Sequence, residues 1–170
     1  MFMSFWMIQR LTREINNLEK EVMDYTNQLS NYQKYASRLG GSSIMNINNL
    51  AGLSSDILPR ASLFAQYSDM TSTMSAQQNV QAAMAMGRFP AVSDPMMLQQ
   101  IQQSAFLQFK EQALKDLKEQ EVAIMHEKEN EIQLKINELE QRLKIKRKQL
   151  DSYEKLSDEE AQKWAPKFGL

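Results

Sequence analysis

Cysteine is absent from this 170-residue chain, which excludes disulfides, thiolate metal sites and thiol nucleophiles. Histidine is almost as scarce, with His126 the single one. Of the five glycines two are adjacent, Gly40-Gly41, and no phosphate-cradling loop or dinucleotide fingerprint occurs. An excess of one charge is missing as well. Twenty basic residues against 21 acidic ones leave a net charge of -1, so nothing draws the whole molecule to nucleic acid or to an acidic membrane. Long hydrophobic runs are also lacking. The apolar opening Met1-Phe2-Met3-Ser4-Phe5-Trp6-Met7-Ile8 has no basic residue before it and no small-residue cleavage site after it. It falls far short of the roughly 20 residues that cross a bilayer. These absences predict a soluble or peripheral chain, cytoplasmic or exported by a route that uses no signal peptide.

His126 is the one candidate for a poised base or metal ligand. At helical spacing it meets Val122, Ala123, Glu129 and Asn130, so a His-Glu metal pair needs further ligands from elsewhere. The plainer reading is a histidine on a helix surface. Accordingly no catalytic, cofactor-binding or metal residue is assigned, no cofactor is expected, and the chain reads as a non-enzyme. The twelve methionines are scattered over helix faces and read as gap-filling apolar side chains rather than as a metal site.

What the chain has in abundance is charge at both ends and helical periodicity. Residues 1–40 hold 9 charged side chains and 110–155 hold 22, while 41–109 hold only Asp56, Arg60, Asp69, Arg88 and Asp94. This divides the sequence into an N-terminal coiled-coil helix (1–40), a charge-poor loop and central helix (41–92), a long C-terminal coiled-coil helix (93–156), and a short capped helix with a tail (157–170). Fold class follows: all-α, an elongated helical hairpin or coiled coil with a long C-terminal helix and a Met/Ala-rich central one.

In the first segment Ile8, Ile15, Val22, Leu29 and Ala36 occupy position a of a heptad, and Leu11, Leu18, Tyr25, Tyr32 and Leu39 occupy d. Five unbroken heptads impose a left-handed supercoil, because the helix underwinds to keep its seam against a partner. Gly40-Gly41 is expected to close this helix through the left-handed conformation. β-branched residues at a and leucine at d suit a parallel pair, whereas linkage through the middle of the chain suits an antiparallel fold-back.

The last helix has its start written in Ser93-Asp94-Pro95, a cap followed by a proline preset for the first turn. About sixty residues at a rise of ~1.5 Å span roughly 90 Å. Its inward positions are Leu114, Leu117, Glu121, Met125, Lys128, Ile132, Ile136, Leu139, Leu143, Lys146, Leu150 and Tyr153. The 3-4-4 spacing up to Ile136 is an eleven-residue repeat, straight or slightly right-handed, which then settles to a heptad. Glu121, Lys128 and Lys146 interrupt the seam and either fix its register or mark where the partner helix ends. Glu111 to Lys115, Glu131 to Lys135, Glu138 to Arg142, Glu140 to Lys144 and Asp151 to Lys155 place an acid four residues before a base, the mark of a solvated face. The cluster Lys144-Ile145-Lys146-Arg147-Lys148 lies among acids and lacks stacking aromatics, so it reads as solvated helix rather than as a nucleic-acid or lipid site. At Ser157-Asp158-Glu159-Glu160 a capping box is expected to open a separate short helix ending before Pro166.

In the middle, Ser42 to Leu58 reads as a loop that can hold a short helix, and Pro59 to Met86 as a helix closed by Gly87. Leu63, Tyr67, Met70, Met74 and Met84 share one face, while Ala61, Ala65, Ser68, Ser72, Ser75, Ala76 and Ala82 keep the rest small. With so little charge, this helix is expected to be covered, by the terminal helices or by a neighbouring subunit.

The predicted interaction residues are the aromatic opening Phe2, Phe5 and Trp6, with methionines beside it; the seam residues Ile8, Leu11, Ile15, Leu18, Val22, Tyr25, Leu29, Ile132, Ile136, Leu139, Leu143 and Leu150; the central Tyr67, Met70 and Met74; and Trp164 and Phe168 near the end. A first helix of 40 residues pairs with less than 60 Å of the longer rod, so surplus length is expected to find another partner. Terminal helices forming a coiled coil around a differing middle, in a cysteine-free chain, resemble the layout of helical filament subunits of the flagellin and type III secretion kind. That resemblance implies a self-assembling structural subunit, of a secreted filament or a secretion apparatus. The alternative is a coiled-coil adaptor or scaffold holding a different protein, as in a virion or secretion assembly. Either way the partners are copies of the chain or another protein, with nucleic acid excluded and membrane contact not expected.

Overall fold

The computed structural model describes residues 2–41 and 52–164, with the side chains of Phe2, Met3 and Trp164 outside the description. It consists of three helices, α1 (Phe2–Gly40), α2 (Leu58–Ala85) and α3 (Pro95–Trp164), without strands among the described residues. The chain is all-α, and α1 and α3 pack together. It divides into two compact units, one formed by residues 1–30 and 129–170, the other by residues 31–128.

In the first unit the N-terminal part of α1 lies antiparallel to the C-terminal part of α3. Lys146 Nζ donates to Glu14 at 2.7 Å, Arg147 to Glu19 at 2.6 Å, and the Ser4 hydroxyl to Glu160 at 3.3 Å. Ser4 at the start of α1 meets Glu160 near the end of α3, whereas Glu14 and Glu19 further along meet Lys146 and Arg147, so the hairpin geometry prevails over the parallel pair that the a/d composition favours. Leu11, Ile15, Ile132, Ile136 and Leu139 are buried, each worth about 1.5–3 kcal/mol of apolar burial. Ile8, Leu18, Val22, Tyr25, Leu29, Leu143, Lys146, Leu150 and Tyr153 are half-buried. Lys146 sits on this seam because Glu14 meets it from α1. Glu138 to Arg142 and Asp151 to Lys155 form as the spacing predicts.

Two expectations about helix ends fail. Ser157 opens no new helix, since α3 runs through it to Trp164. A capping preference is worth only about 1 kcal/mol, and the residues that follow, Asp158-Glu159-Glu160-Ala161-Gln162-Lys163, let the helix continue with Glu160 held to Ser4. Gly40-Gly41 does end α1, yet neither adopts a positive φ. Two successive glycines weaken a helix by about 1 kcal/mol each, without needing a left-handed turn. The expected loop from Ser42 lies outside the described residues as far as position 51.

In the second unit α2 runs antiparallel along the first part of α3. Arg60 pairs with Glu121 and Asp69 with Lys110, at 2.7 and 2.8 Å. Surplus length in the C-terminal helix therefore has its partner within the chain, in α2. At the α3 start, the Asp94 side chain accepts from the amide of Met96 at 3.0 Å, and its carbonyl from Leu98, with Pro95 next in line as expected. At the α2 end, Gly87 takes φ 65 while its amide donates to Met84 and that of Arg88 to Ala83, a Schellman closure.

The core of this unit gathers Tyr35, Ala36 and Leu39 from the last turns of α1, Ile57 and Ala61 at the start of α2, and Met125 of α3. Tyr32, Leu53, Phe64 and Val122 pack against it. Tyr35, at heptad position g, is fully buried although the heptad places it beside the seam. Here three helices meet, so positions flanking the two-helix seam are also enclosed.

Candidate interaction surface

Among the described residues the second unit buries one charged side chain. Glu121 is buried among the α1, α2 and α3 side chains and accepts three hydrogen bonds: two from the Arg60 guanidinium at 2.7 and 3.1 Å and one from the Tyr35 hydroxyl at 3.3 Å. The bidentate fork suits a carboxylate that has left water. Burial, and then the charge of Glu121, pushes the Tyr35 phenol well above its ordinary range, while the hydrogen bond from Arg60 to Glu121 raises the guanidinium's own pKa. Tyr35 therefore stays a donor and Arg60 a cation. Such an arrangement holds three helices in register. Among the described residues no group of three or more His, Asp or Glu is placed to hold a metal ion, and no helix is long and apolar enough to cross a membrane.

The unusual feature is the orientation of α2. Its buried residues are Ala61, Ser68, Ser72 and Ala76, with Ala65 and Ser75 half-buried beside them. Ser68 and Ser72 satisfy their hydroxyls by donating to the carbonyls of Ala65 and Asp69 at 3.2 and 3.0 Å, so burial leaves no orphaned donor. Small side chains let helix axes approach to about 8 Å, the lower end of helix packing. On the opposite side, Leu63, Tyr67, Met70 and Met74 stand more than half exposed, in one stripe at steps of 4, 3 and 4 residues. The prediction that α2 would be covered thus holds for its small face, while its large apolar face is open. The face of α2 that meets α3 is the one of small residues, with Arg60 and Asp69 reaching Glu121 and Lys110.

Of the predicted interaction residues, Leu11, Ile15, Ile132, Ile136 and Leu139 are buried within the first unit, and Ile8, Leu18, Val22, Tyr25, Leu29, Leu143 and Leu150 are half-buried there. They form the intrachain seam. Tyr67, Met70 and Met74 are brought together on the α2 stripe, joined by Leu63, which shares their face but was not among the predicted interaction residues. Phe5 and Trp6 are also exposed, with the Arg10 guanidinium 5.7 Å from the Trp6 ring centre. The side chains of Phe2 and Trp164, and all of Phe168, lie outside the described residues. Further methionines, Met84, Met86, Met96 and Met97, are exposed where α2 ends and α3 begins.

Two members of the basic cluster, Lys146 and Arg147, are engaged by Glu14 and Glu19. Sequence reasoning missed Tyr35 and Arg60 as partners of Glu121. A signal was present, since Arg60 is the one cation in α2 and Glu121 was recognisable as a polar residue on an apolar seam. The exposed hydrophobic side chains mark an interaction surface. No family model, curated protein or solved structure matches the chain, so function is argued from this surface.

Proposed function

We propose that the chain is a non-enzymatic structural subunit that associates with further copies of itself through its helices. The observation that carries this reading is the α2 stripe of Leu63, Tyr67, Met70 and Met74, turned outward from a helix whose only two charged side chains are paired with α3. Four large apolar residues aligned on one exposed helix face form a contiguous patch rather than singly scattered hydrophobics, and patches of that kind are often functional. Methionine and tyrosine are also suited to such contacts, one by adaptability and one by a large surface with few rotors. The seam heptads have partners within the chain, so the association is assigned to faces outside the seam.

Sedimentation velocity over rising protein concentration, with negative-stain microscopy of the same samples, tests the reading. Self-assembly gives species heavier than the 19.7 kDa chain whose share grows with concentration. A chain that stays a monomer throughout refutes it and favours the adaptor, whose open face awaits a different protein.

A further inference from the structure

We infer that the α2 stripe is a two-fold interface, on which a second copy docks its own stripe in the antiparallel sense. The inference rests on the self-assembly reading and specifies its geometry. An isologous contact requires a face that complements itself, and three features of this one do.

First, the spacing is palindromic. Leu63, Tyr67, Met70 and Met74 follow each other at 4, 3 and 4 residues, so the stripe has the same spacing read from either end. An antiparallel copy therefore stays in register. Leu63 then faces Met74 of the second copy and Tyr67 faces its Met70, a sulfur-aromatic contact made twice about the axis.

Second, the face can meet itself without repulsion. Arg60 and Asp69 are the only charged residues of α2, and Glu121 and Lys110 neutralise them within the chain. Of the two senses, a parallel pairing aligns the helix dipoles and the antiparallel one opposes them.

Third, the size fits. With each of the four side chains more than half exposed, the stripe offers on the order of 500 Å² per copy, about 1,000 Å² for the pair, the lower bound of a specific interface. Area alone does not set affinity, so the dimer is sought over a concentration series that reaches well above the micromolar.

The full chain supplies its own test, because it has no cysteine. Sedimentation equilibrium from about 1 to 200 μM should give twice the chain mass at the upper end. Met70→Glu, on an exposed side chain, should reduce the mass to that of one chain while circular dichroism and melting temperature stay unchanged. Oxidative cross-linking should join copies of the Leu63→Cys/Met74→Cys double variant. It should leave Leu63→Cys alone unjoined, since the two Leu63 positions then lie about 16 Å apart along the axis, beyond the reach of a disulfide. Assembly that survives Met70→Glu overturns the α2 interface and leaves self-assembly to another face. Efficient cross-linking of Leu63→Cys alone overturns the antiparallel arrangement. A wild-type chain that is monomeric at 200 μM overturns this inference and the proposed function together, and assigns the stripe to a different protein.

Discussion

Replacing Glu121 by leucine should cost stability chiefly through Tyr35, a residue it merely touches. The Tyr35 side chain is fully buried, and its hydroxyl donates to Glu121 at 3.3 Å. Once the carboxylate is gone the hydroxyl is stranded, a loss of about 1–3 kcal/mol. Arg60 loses two hydrogen bonds as well, but 42% of its side chain is exposed against 9% for Glu121. It can turn to water, which holds its share below about 1 kcal/mol. Leucine in the vacated volume gains apolar burial and offsets part of both. The net cost is about 2 kcal/mol. Tyr35→Phe alone should cost about 1 kcal/mol or less, because Arg60 still satisfies the carboxylate twice. In the double variant no hydroxyl is left to strand, so Tyr35→Phe/Glu121→Leu should be more stable than Glu121→Leu alone, with a coupling of about 1–2 kcal/mol. Urea unfolding followed by circular dichroism measures this as midpoint shifts at constant m. If the double variant loses as much as the two singles added together, the three residues do not form the network described.

Leu139→Ala, at a site 1% exposed, should destabilise the first unit by about 3–4 kcal/mol, whereas Leu134→Ala, at 70% exposure on the same helix, should change the unfolding midpoint by less than about 0.5 kcal/mol. Ser72→Leu should destabilise by about 1–3 kcal/mol in the same assay, since the fully buried serine leaves no room for three more carbons. The carboxyls of Glu14 and Glu138 are held below the ordinary range, the first by its hydrogen bonds from Lys146 and then Arg10, the second by Lys135 and then Arg142. A depressed carboxyl stabilises the folded state above its unfolded pKa and loses that effect as pH falls through the folded value. Melting temperature should therefore fall below about pH 4, and Glu14→Gln should flatten part of the fall. Lys155, raised by its hydrogen bond to Asp151, works in the opposite sense, stabilising at neutral pH and losing its effect above about pH 10.

The helices and both seams were legible because apolar residues at 3.5- to 3.7-residue spacing have one way to be buried. Every heptad position from Ile8 to Leu39, and every inward position from Leu114 to Tyr153, is buried or half-buried. Asp94-Pro95 and Gly87 were legible as local chemistry that acts without tertiary help. Tyr35 was not, since its burial depends on a third helix arriving from elsewhere in the chain. Nor was the direction α2 would face. Hydropathy ranks Leu63, Met70 and Met74 above Ser68 and Ser72 for the interior, yet α2 turns its smaller residues to α3 while Arg60 and Asp69 pair with Glu121 and Lys110. From sequence the surplus of the long helix and the central helix each have two possible partners, one another or a neighbouring subunit, and only the Arg60–Glu121 and Asp69–Lys110 pairs choose between them. Ser157 misled for a different reason: a good cap sequence ends a helix only where continuing it brings no contact, and Glu160 has one with Ser4.

The outward turn of α2 also inverts its map of mutational tolerance. In a library of α2 variants selected for folding alone, Ala61, Ser68, Ser72 and Ala76 should accept little beyond alanine, serine or glycine, because each added atom separates two helices. Met70 and Met74 should accept lysine or glutamate freely. The residues most restricted by folding would then be the least hydrophobic ones. Selection for association, run on the same library, should restore the restriction to the methionines and so separate the two roles of a single 28-residue helix.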